Sequence, residues 1–369
     1  MKILPWAGNS IFPALCTSLL AWRKSAPDTR DLPWRDEPTP YHVWISEIML
    51  QQTRAAVVRG YYLRFLDALP SVRDLADVDD DALMKLWQGL GYYSRARNLK
   101  RAAEVIVEKH EGQLPKDFDA LLALPGIGRY TASAISSFAY GAPRPAVDGN
   151  FLRVAARVTA NPIDIAKDAS KRALEAALAP SYPTGRDAGL LNEAFMDLGA
   201  TVCLPNGAPL CHVCPATRLC LAHDRGTEQD YPVKTALKAR RKEQRTVLLL
   251  SCGGQIAIRK RPARGLLAGL WEYPNLDGKL TKRAVRAHLE AEGYHVLAIA
   301  PLLPARHIFT HIEWNLTGWA VSVAERNEPP LMAAEEMDGA PAPLLWVRRE
   351  ELADKYSIPA AFGYFTPQD

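Results

Sequence analysis

The stretch DFDALLALPGIGRYTASAISSFAYG, residues 117–141, decides the fold of the first half of the chain. It reads as a short helix, the turn LPGIG (124–128), and a second helix from about Arg129. Gly126 and Gly128 let this turn approach another backbone closely. The free N–H groups that open the second helix, at the positive end of its dipole, form an anion site. The pattern predicts a helical hairpin at about 117–140 that holds a phosphate; a plain hairpin in a helical bundle is the alternative.

The regions on either side of this hairpin differ in their periodicity. From residue 12 to about 225, helical segments alternate with Pro and Gly. The polar, basic stretch at 226–245 has no apolar periodicity and predicts a linker. Short β-type runs follow, with a single helix at 281–293 among them; they cover residues 246–252, 255–261, 295–303 and 314–324. We predict an all-helical domain (1–225), a linker (226–245) and an α+β domain (246–369).

The composition is that of a globular protein. Hydrophobic residues make up 48% and charged residues 23% of the 369 positions, which argues against disorder. The formal charge of +4 fits a nucleic-acid partner but does not require one. No run of about 18 apolar residues occurs, and the N-terminal segment lacks a signal-peptide cleavage site. We expect a monomeric cytoplasmic protein with no membrane partner.

Four of the six cysteines lie close together, in the form C-x7-C-x2-C-x5-C: Cys203, Cys211, Cys214 and Cys220. In an intracellular chain such clustering predicts a metal site and not disulfides. Four thiolates can hold a [4Fe-4S] cluster or a tetrahedral zinc ion. Structural zinc usually takes its ligands from two short knuckles, and only one closely spaced pair is present here. The spacing therefore favours the iron–sulfur cluster, with zinc as the alternative.

Several strings, taken with these features, resemble known proteins. LPGIG, VDGN (147–150) and the cysteine loop are similar to the helix-hairpin-helix DNA glycosylase superfamily. The strings that resemble its MutY-type adenine glycosylases are LPWR (32–35), SEIMLQQT (46–53), GLGYYSRARNL (89–99), NEAFMDLGATVC (192–203) and GLLAGLWEYP (265–274). One departure is the seventh residue between the first two cysteines, where the family usually has six. The resemblance implies a [4Fe-4S] cluster and excision of adenine from A:8-oxoguanine, and also A:G, pairs in nucleoid DNA.

Three residues carry the implied chemistry. Breaking an adenine glycosidic bond leaves positive charge on the sugar and negative charge on the base, so an acid and an anion are needed. Glu47 lies in an apolar helical stretch where desolvation raises its pKa, which predicts the general acid at adenine N7. By resemblance, Asp148 stabilises or captures the oxocarbenium-like sugar. Tyr130 replaces the lysine of the endonuclease III branch, which implies hydrolysis without a Schiff base.

The structural alternatives for these residues are ordinary ones. A helical glutamate is most often solvated, an Asp-Gly pair is most often a turn, and a tyrosine in a helix is most often a packing residue. The matching strings, and not the spacing, favour the catalytic assignments.

Other site residues are assigned by their positions in the matching strings. Those that resemble residues enclosing a flipped adenine are Arg30, Trp34, Arg35, Leu50 and Glu193. Gln52, Thr53 and Tyr92 are assigned to DNA contact, as are the hairpin glycines Gly126 and Gly128. Gln52 and Tyr92 match residues that wedge into the duplex beside the opposite base.

The second domain resembles a Nudix fold. Ala287 and Ala291 stand where a magnesium-binding helix needs glutamates, so a reader domain is expected in place of a hydrolase. The loop Phe309-Thr310-His311 occupies the place of the Phe-Ser-His loop with which the family reads 8-oxoguanine.

Three other functions remain alternatives. They are an endonuclease III-like lyase acting on oxidised pyrimidines, a lesion sensor without catalysis, and a Nudix nucleotide hydrolase with a helical appendage. Tyr130 opposes the first, the pair Glu47 and Asp148 opposes the second, and the two alanines oppose the third.

Overall fold

The computed structural model describes residues 6, 10–25, 30–235, 239–324 and 342–366. Its α-helices, α1 to α15 in chain order, are Ile11–Ser25, Pro40–Leu50, Ala55–Ala68, Val72–Asp77, Asp80–Leu86, Ser94–Lys109, Phe118–Leu122, Arg129–Phe138, Gly149–Val158, Asp168–Leu178, Arg186–Asp197, Leu221–Asp224, Lys282–Ala291, Arg349–Lys355 and Ala360–Gly363. Its strands, β1 to β7, are Arg241–Cys252, Gln255–Lys260, Trp271–Glu272, Asn275–Asp277, Val296–Ile308, Ile312–Val323 and Leu345–Arg348. None of the described helices has both the length and the apolar character needed to cross a bilayer.

The first compact unit is helical and comprises Met1–Asp77 with Asn98–Ala236. Apolar side chains of α1, α9 and α11 contribute to a buried cluster, in which Phe151 and Phe195 stack with ring centroids 4.3 Å apart. Local caps set where the helices near the later site begin. Thr39 accepts from the backbone N–H of His42 at the start of α2, and Asp117 accepts from that of Ala120 at the start of α7.

The second compact unit comprises Val78–Arg97 with Leu237–Asp369. Its sheet has the order β3-β2-β1-β6-β5, with β4 on β1 and β7 on β2. The β1 and β6 strands are parallel, whereas β5 and β6 form an antiparallel hairpin. Apolar clusters cover both faces: α13 packs on one, and the C-terminal helices α14 and α15 pack on the other.

The fold class is confirmed: a helical unit is followed by an α+β unit. The hairpin agrees closely with the sequence, since α7 and α8 span 118–138. The β1 strand starts at Arg241 and thus takes the last residues of the predicted linker. Short elements were missed because they span too few residues to show a period; they are β3, β4, β7, α14 and α15. The grouping of Val78–Arg97 with the second unit had no sequence signal, and the division at 226–245 stays a prediction.

Candidate active site

A pocket of about 240 Å³ in the first unit gathers residues from four separate stretches of the chain, 30–55, 130–138, 148–150 and 193–200. It is lined by all three predicted catalytic residues and all five predicted adenine-binding residues: Glu47, Tyr130, Asp148, Arg30, Trp34, Arg35, Leu50 and Glu193. Helices α2, α8 and α11 and the turn at Pro33–Arg35 supply most of these side chains, Asp148 caps the start of α9, and Arg30 lies before the turn. The pocket is concave and combines apolar walls with a few polar groups, as ligand sites usually do.

Glu47 has the properties of an acid. It lies on α2 with 5% of its surface exposed. Its pKa is raised to about 7, chiefly by burial; the hydrogen bond from the Tyr130 hydroxyl lowers it, the nearby Asp148 charge raises it, and the charge of Arg35 lowers it. Its Oε2 atom has no hydrogen-bond partner among the described residues. A carboxyl group in this state carries a proton near neutral pH and has one oxygen available for a ligand.

Asp148 is held in one orientation by the start of α9. Its Oδ1 accepts from the backbone N–H groups of Asn150 (2.8 Å) and Phe151 (2.9 Å), and its Oδ2 accepts from the Asn150 side chain (2.7 Å). Burial raises its pKa, while these hydrogen bonds and the charge of Arg153 favour the ionised form. Asp148 is therefore a helix cap whose carboxylate also borders the pocket.

Tyr130 contributes a neutral hydroxyl. Burial raises its pKa well above the ordinary value, and the neighbouring carboxyl groups Glu47 and Asp148 add to the increase. The phenol therefore stays protonated and donates its hydrogen bond to Glu47.

Two residues behind the pocket were missed by sequence reasoning. Asp197 is fully buried and binds Arg35 through two hydrogen bonds of 2.9 Å and Arg30 through one of 3.2 Å. Arg23 donates to Glu193 Oε2 at 2.6 Å and 3.0 Å. This ion network fixes the polar wall of the pocket. No local pattern identifies its members, since it joins α1, the 30–35 segment and α11.

A buried connection links the cap to the cysteine loop. The Arg153 guanidinium donates to Asn150 Oδ1 (2.8 Å), to the Gly199 carbonyl (2.6 Å) and to the Cys203 carbonyl (2.9 Å). A Cβ at position 199 would lie 2.5 Å from the Asn150 Cβ, so only glycine fits there. Asn150 thus contacts both Asp148 and the arginine that holds the loop.

The hairpin turn has two different glycines. Gly126 has a φ of +76°, and a Cβ there would lie 2.6 Å from the Asn98 Cβ, so the fold itself requires it. Gly128 caps α8, and a Cβ there would meet nothing within 4 Å. The turn borders an open groove of about 780 Å³ that Glu47, Asp148, Lys171 and Arg172 also line. The free N–H groups of α8 and these cations are suited to a phosphate backbone.

The two predicted wedge residues share an uncommon backbone. Gln52 has a φ of 58° and Tyr92 a φ of 49°, both in the left-handed region that non-glycine residues rarely adopt. Gln52 lies in the first unit beside Thr53, whose N–H donates to the Leu50 carbonyl at 3.2 Å. Backbone strain of this kind concentrates at functional sites.

The predicted reader loop forms the tip of the β5–β6 hairpin in the second unit. The Phe309 ring packs against Trp314 at 4.9 Å, and the exposed Thr310 and His311 follow it. The Tyr92 and Thr310 hydroxyls are hydrogen-bonded at 3.1 Å. These residues border a pocket of about 500 Å³, also lined by Leu267, whose φ is 56°.

The helix α13 carries few carboxylates at the positions where a Nudix hydrolase would hold magnesium. Ala287 and Ala291 lie on it, while Glu290 pairs with Arg286 at 3.3 Å. Among the described residues, none of its carboxylates joins a group of three possible metal ligands.

The four clustered cysteines come together at the end of the first unit. They line one cavity with Arg157, whose Nη1 donates to Cys203 Sγ at 3.2 Å. A tetrahedral zinc would hold its sulfurs about 3.8 Å apart, as Zn–S bonds of about 2.3 Å require. No three of these Sγ atoms lie within 4.8 Å of one another in the described structure. As they stand, the described Sγ atoms therefore do not form the tight tetrahedral set that a single zinc ion needs.

Comparisons with known proteins agree with both units. Residues 45–180 match the family described as HhH-GPD superfamily base excision DNA repair protein, and residues 245–365 match the NUDIX domain. The adenine DNA glycosylase of Homo sapiens is 33% identical over 394 residues, which cover 90% of this chain and 70% of the human protein. That of Rattus norvegicus is 33% identical over 396 residues, covering 90% and 74%.

A solved structure adds support for the helical unit. The structure of a thermostable thymine-DNA glycosylase has a TM-score of 0.51 and 29% identity, covering 59% of this chain and 99% of its own. With the similarity to adenine DNA glycosylases extending over nine-tenths of the sequence, through the helical unit and the Nudix-like unit alike, the chain belongs to the adenine DNA glycosylase family of base excision repair enzymes.

Proposed function

We propose that the chain hydrolyses the N-glycosidic bond of adenine paired with 8-oxoguanine in duplex DNA, without a lyase step. The observation that carries the proposal is Glu47, a buried carboxyl group with a pKa of about 7 and an unpartnered oxygen, in one pocket with Asp148. An acid beside an anion is the pair that this bond cleavage needs.

The roles follow from the charges that develop in the reaction. The adenine turns out of the duplex into the pocket, where Trp34 and Leu50 offer apolar surface and Arg35 and Glu193 offer polar contacts. Glu47 gives its proton to adenine N7, so the base leaves as a neutral molecule. The bond electrons go to the base, and Asp148 stabilises the positive sugar until water adds at C1′. The Glu47 carboxylate then accepts a proton from that water.

Hydrolysis without strand cleavage is supported by the side chains that line the pocket, because a lyase step needs an amine among them. Tyr130 occupies the position of the lyase lysine, and among the described residues no lysine lines the pocket. A Schiff base needs an amine that can attack the sugar. Lys171 lines the adjoining groove, so trapping with borohydride also tests whether its amine attacks the sugar.

Recognition of the opposite base is assigned to the second unit. Thr310 and Tyr92 present hydroxyls to a pocket of about 500 Å³, and the Phe309 ring lies beside them. Hydroxyl groups can bond the polar edge of a modified purine, while rings stack on its face. The open groove beside Gly128 is assigned to a DNA phosphate backbone.

We expect a [4Fe-4S] cluster on Cys203, Cys211, Cys214 and Cys220. These four thiolates would hold the cluster, which would cross-link the cysteine loop when bound. Purified protein should contain about four iron and four sulfide per chain and be brown. Colourless protein with one zinc per chain, measured by metal analysis, would contradict this expectation.

The substrate assignment is tested with a duplex that contains adenine opposite 8-oxoguanine. Strand breakage should occur only after alkali, and borohydride should trap no covalent complex. Duplexes with adenine opposite thymine serve as the control, and an A:G duplex measures the preference for the oxidised base. Trapping by borohydride would show a lyase, and tight lesion binding without turnover by iron-loaded protein would show a sensor.

The pH profile should show the raised pKa of Glu47. Because only the protonated acid can transfer a proton, the single-turnover excision rate should fall about tenfold per pH unit above about pH 7. The same shift makes the folded state lose stability as the pH rises from about 4.5 to about 7, since Glu47 ionises later when folded than when unfolded. A rate that is flat from pH 6 to pH 9 would remove Glu47 as the acid.

A further inference from the structure

Two side chains outside the predicted cysteine set converge on Cys211. The Glu228 Oε1 atom lies 2.6 Å from His223 Nδ1 and 3.7 Å from Cys211 Sγ. The three donor atoms all lie within 4.8 Å of one another, the only such group of three among the described residues. His223 belongs to the short helix α12, and Glu228 opens the turn after it.

The chemistry of these donors differs from that of an iron–sulfur site. A [4Fe-4S] cluster is complete with four thiolates, and Cys203, Cys214 and Cys220 supply the other three. An imidazole nitrogen, a carboxylate oxygen and a thiolate together are zinc ligands, and three protein ligands with one open position form a common zinc arrangement.

The group is also accessible. The side chain of His223 is 40% exposed and that of Glu228 is 19% exposed, so an ion can reach them from solvent. The hydrogen bond between them holds two ligands ready on one side of the thiol.

We propose that Cys211, His223 and Glu228 form a zinc site in the cluster-free chain, and that zinc there excludes the iron–sulfur cluster because both need Cys211. The inference rests on the proposed cysteine set and is independent of the glycosylase reaction. Zinc binding releases the Cys211 thiol proton to solvent, and His223 moves its ring proton from Nδ1 to Nε2 so that Nδ1 can bind the ion.

The experiment uses the full chain purified from cells grown with limiting iron and added zinc sulfate. Wild type should retain about one zinc per chain, and replacing a ligand in His223→Ala or Glu228→Gln should weaken zinc binding by at least about tenfold. Matched controls are His212→Ala and Asp224→Asn, which remove a histidine and a carboxylate of the same region that belong to no such group. Cobalt absorption spectra should show the loss of a nitrogen ligand in His223→Ala only.

Three results would overturn the proposal. They are wild type without zinc, His223→Ala and Glu228→Gln variants that bind zinc as wild type does, and loss of iron from these variants in iron-replete cells. The second result would place the ion among the four cysteines, and the third would make His223 and Glu228 supports of the cluster. Failure of the catalytic proposal is distinguishable, since it appears as inactivity of iron-loaded protein.

Discussion

Glu47→Gln is expected to abolish adenine excision, with a single-turnover rate lower than wild type by roughly 10³-fold, within the usual range for loss of a general acid–base group. Gln has almost the same shape and can still accept the Tyr130 hydrogen bond, but it has no proton to give to N7. The fold should be unaffected. Above pH 7 the variant should be at least as stable as wild type, because it avoids burying a charge where Glu47 ionises.

The measurement is alkali-dependent strand breakage of the A:8-oxoguanine duplex with enzyme in excess. Glu104→Gln is the matched control, an exposed glutamate on the helix α6, and it should cleave like wild type. Duplex affinity is measured in parallel, and it should change little for Glu47→Gln. If the variant retained more than a tenth of the wild-type rate, Glu47 would not be the acid and another donor to the base would have to be sought.

Asp197→Ala should produce the largest loss of stability. Its carboxylate is fully buried against Arg35 and Arg30, and removing it leaves these guanidinium groups without their shared partner. Breaking a buried ion pair costs about 3–5 kcal/mol, and we expect about 3 kcal/mol because the two arginine side chains keep 14% and 26% of their surface exposed. The KM for the mispair duplex should also rise, because Arg35 loses its orientation at the adenine pocket.

Asp187→Ala is the matched control for this prediction. Asp187 lies on the same helix, α11, and pairs with Lys24 at 2.7 Å, but both side chains are well exposed. That pair should contribute about 0.5 kcal/mol or less. Thermal unfolding of the two variants is compared with that of Asp197→Asn. This variant keeps the side-chain shape without the charge, so it should recover little of the stability that Asp197→Ala loses. Equal midpoints for Asp197→Ala and Asp187→Ala would show that the buried network contributes no stability.

Local features of the site were predictable because short stretches of chain determine them. The hairpin at 117–140 follows from a turn with two glycines and from helical spacing on either side, and both act within a few residues. The desolvation of Glu47 follows from its apolar neighbours on one helix. The cysteine loop follows from spacing alone, as does the change from helical to β-type periodicity near residue 240. The family resemblance then assigned roles that spacing could not.

Tertiary structure decided which of these groups meet. Glu47, Tyr130 and Asp148 share one pocket only because α2 packs on α8 and α11 packs on both α8 and α9, and their pKa values depend on that burial. The contacts of Asp197 with Arg30 and Arg35 join residues more than 160 positions apart, and the local hydrophobic periodicity of the sequence cannot indicate such contacts. The grouping of Val78–Arg97 with the second unit also depends on contacts between segments that are distant in the sequence.

The sequence by itself determined the longer helices and strands, the clustering of four cysteines and the family. Periodicity, turn residues and cysteine spacing are properties of neighbouring positions, so they can be read without knowing how the chain packs. The tertiary structure alone decided that Glu47 is buried together with Tyr130 and Asp148, that an ion network lies behind their pocket, and that His223 and Glu228 meet Cys211. These depend on desolvation and on distances between segments remote in sequence, and only the packed chain sets both.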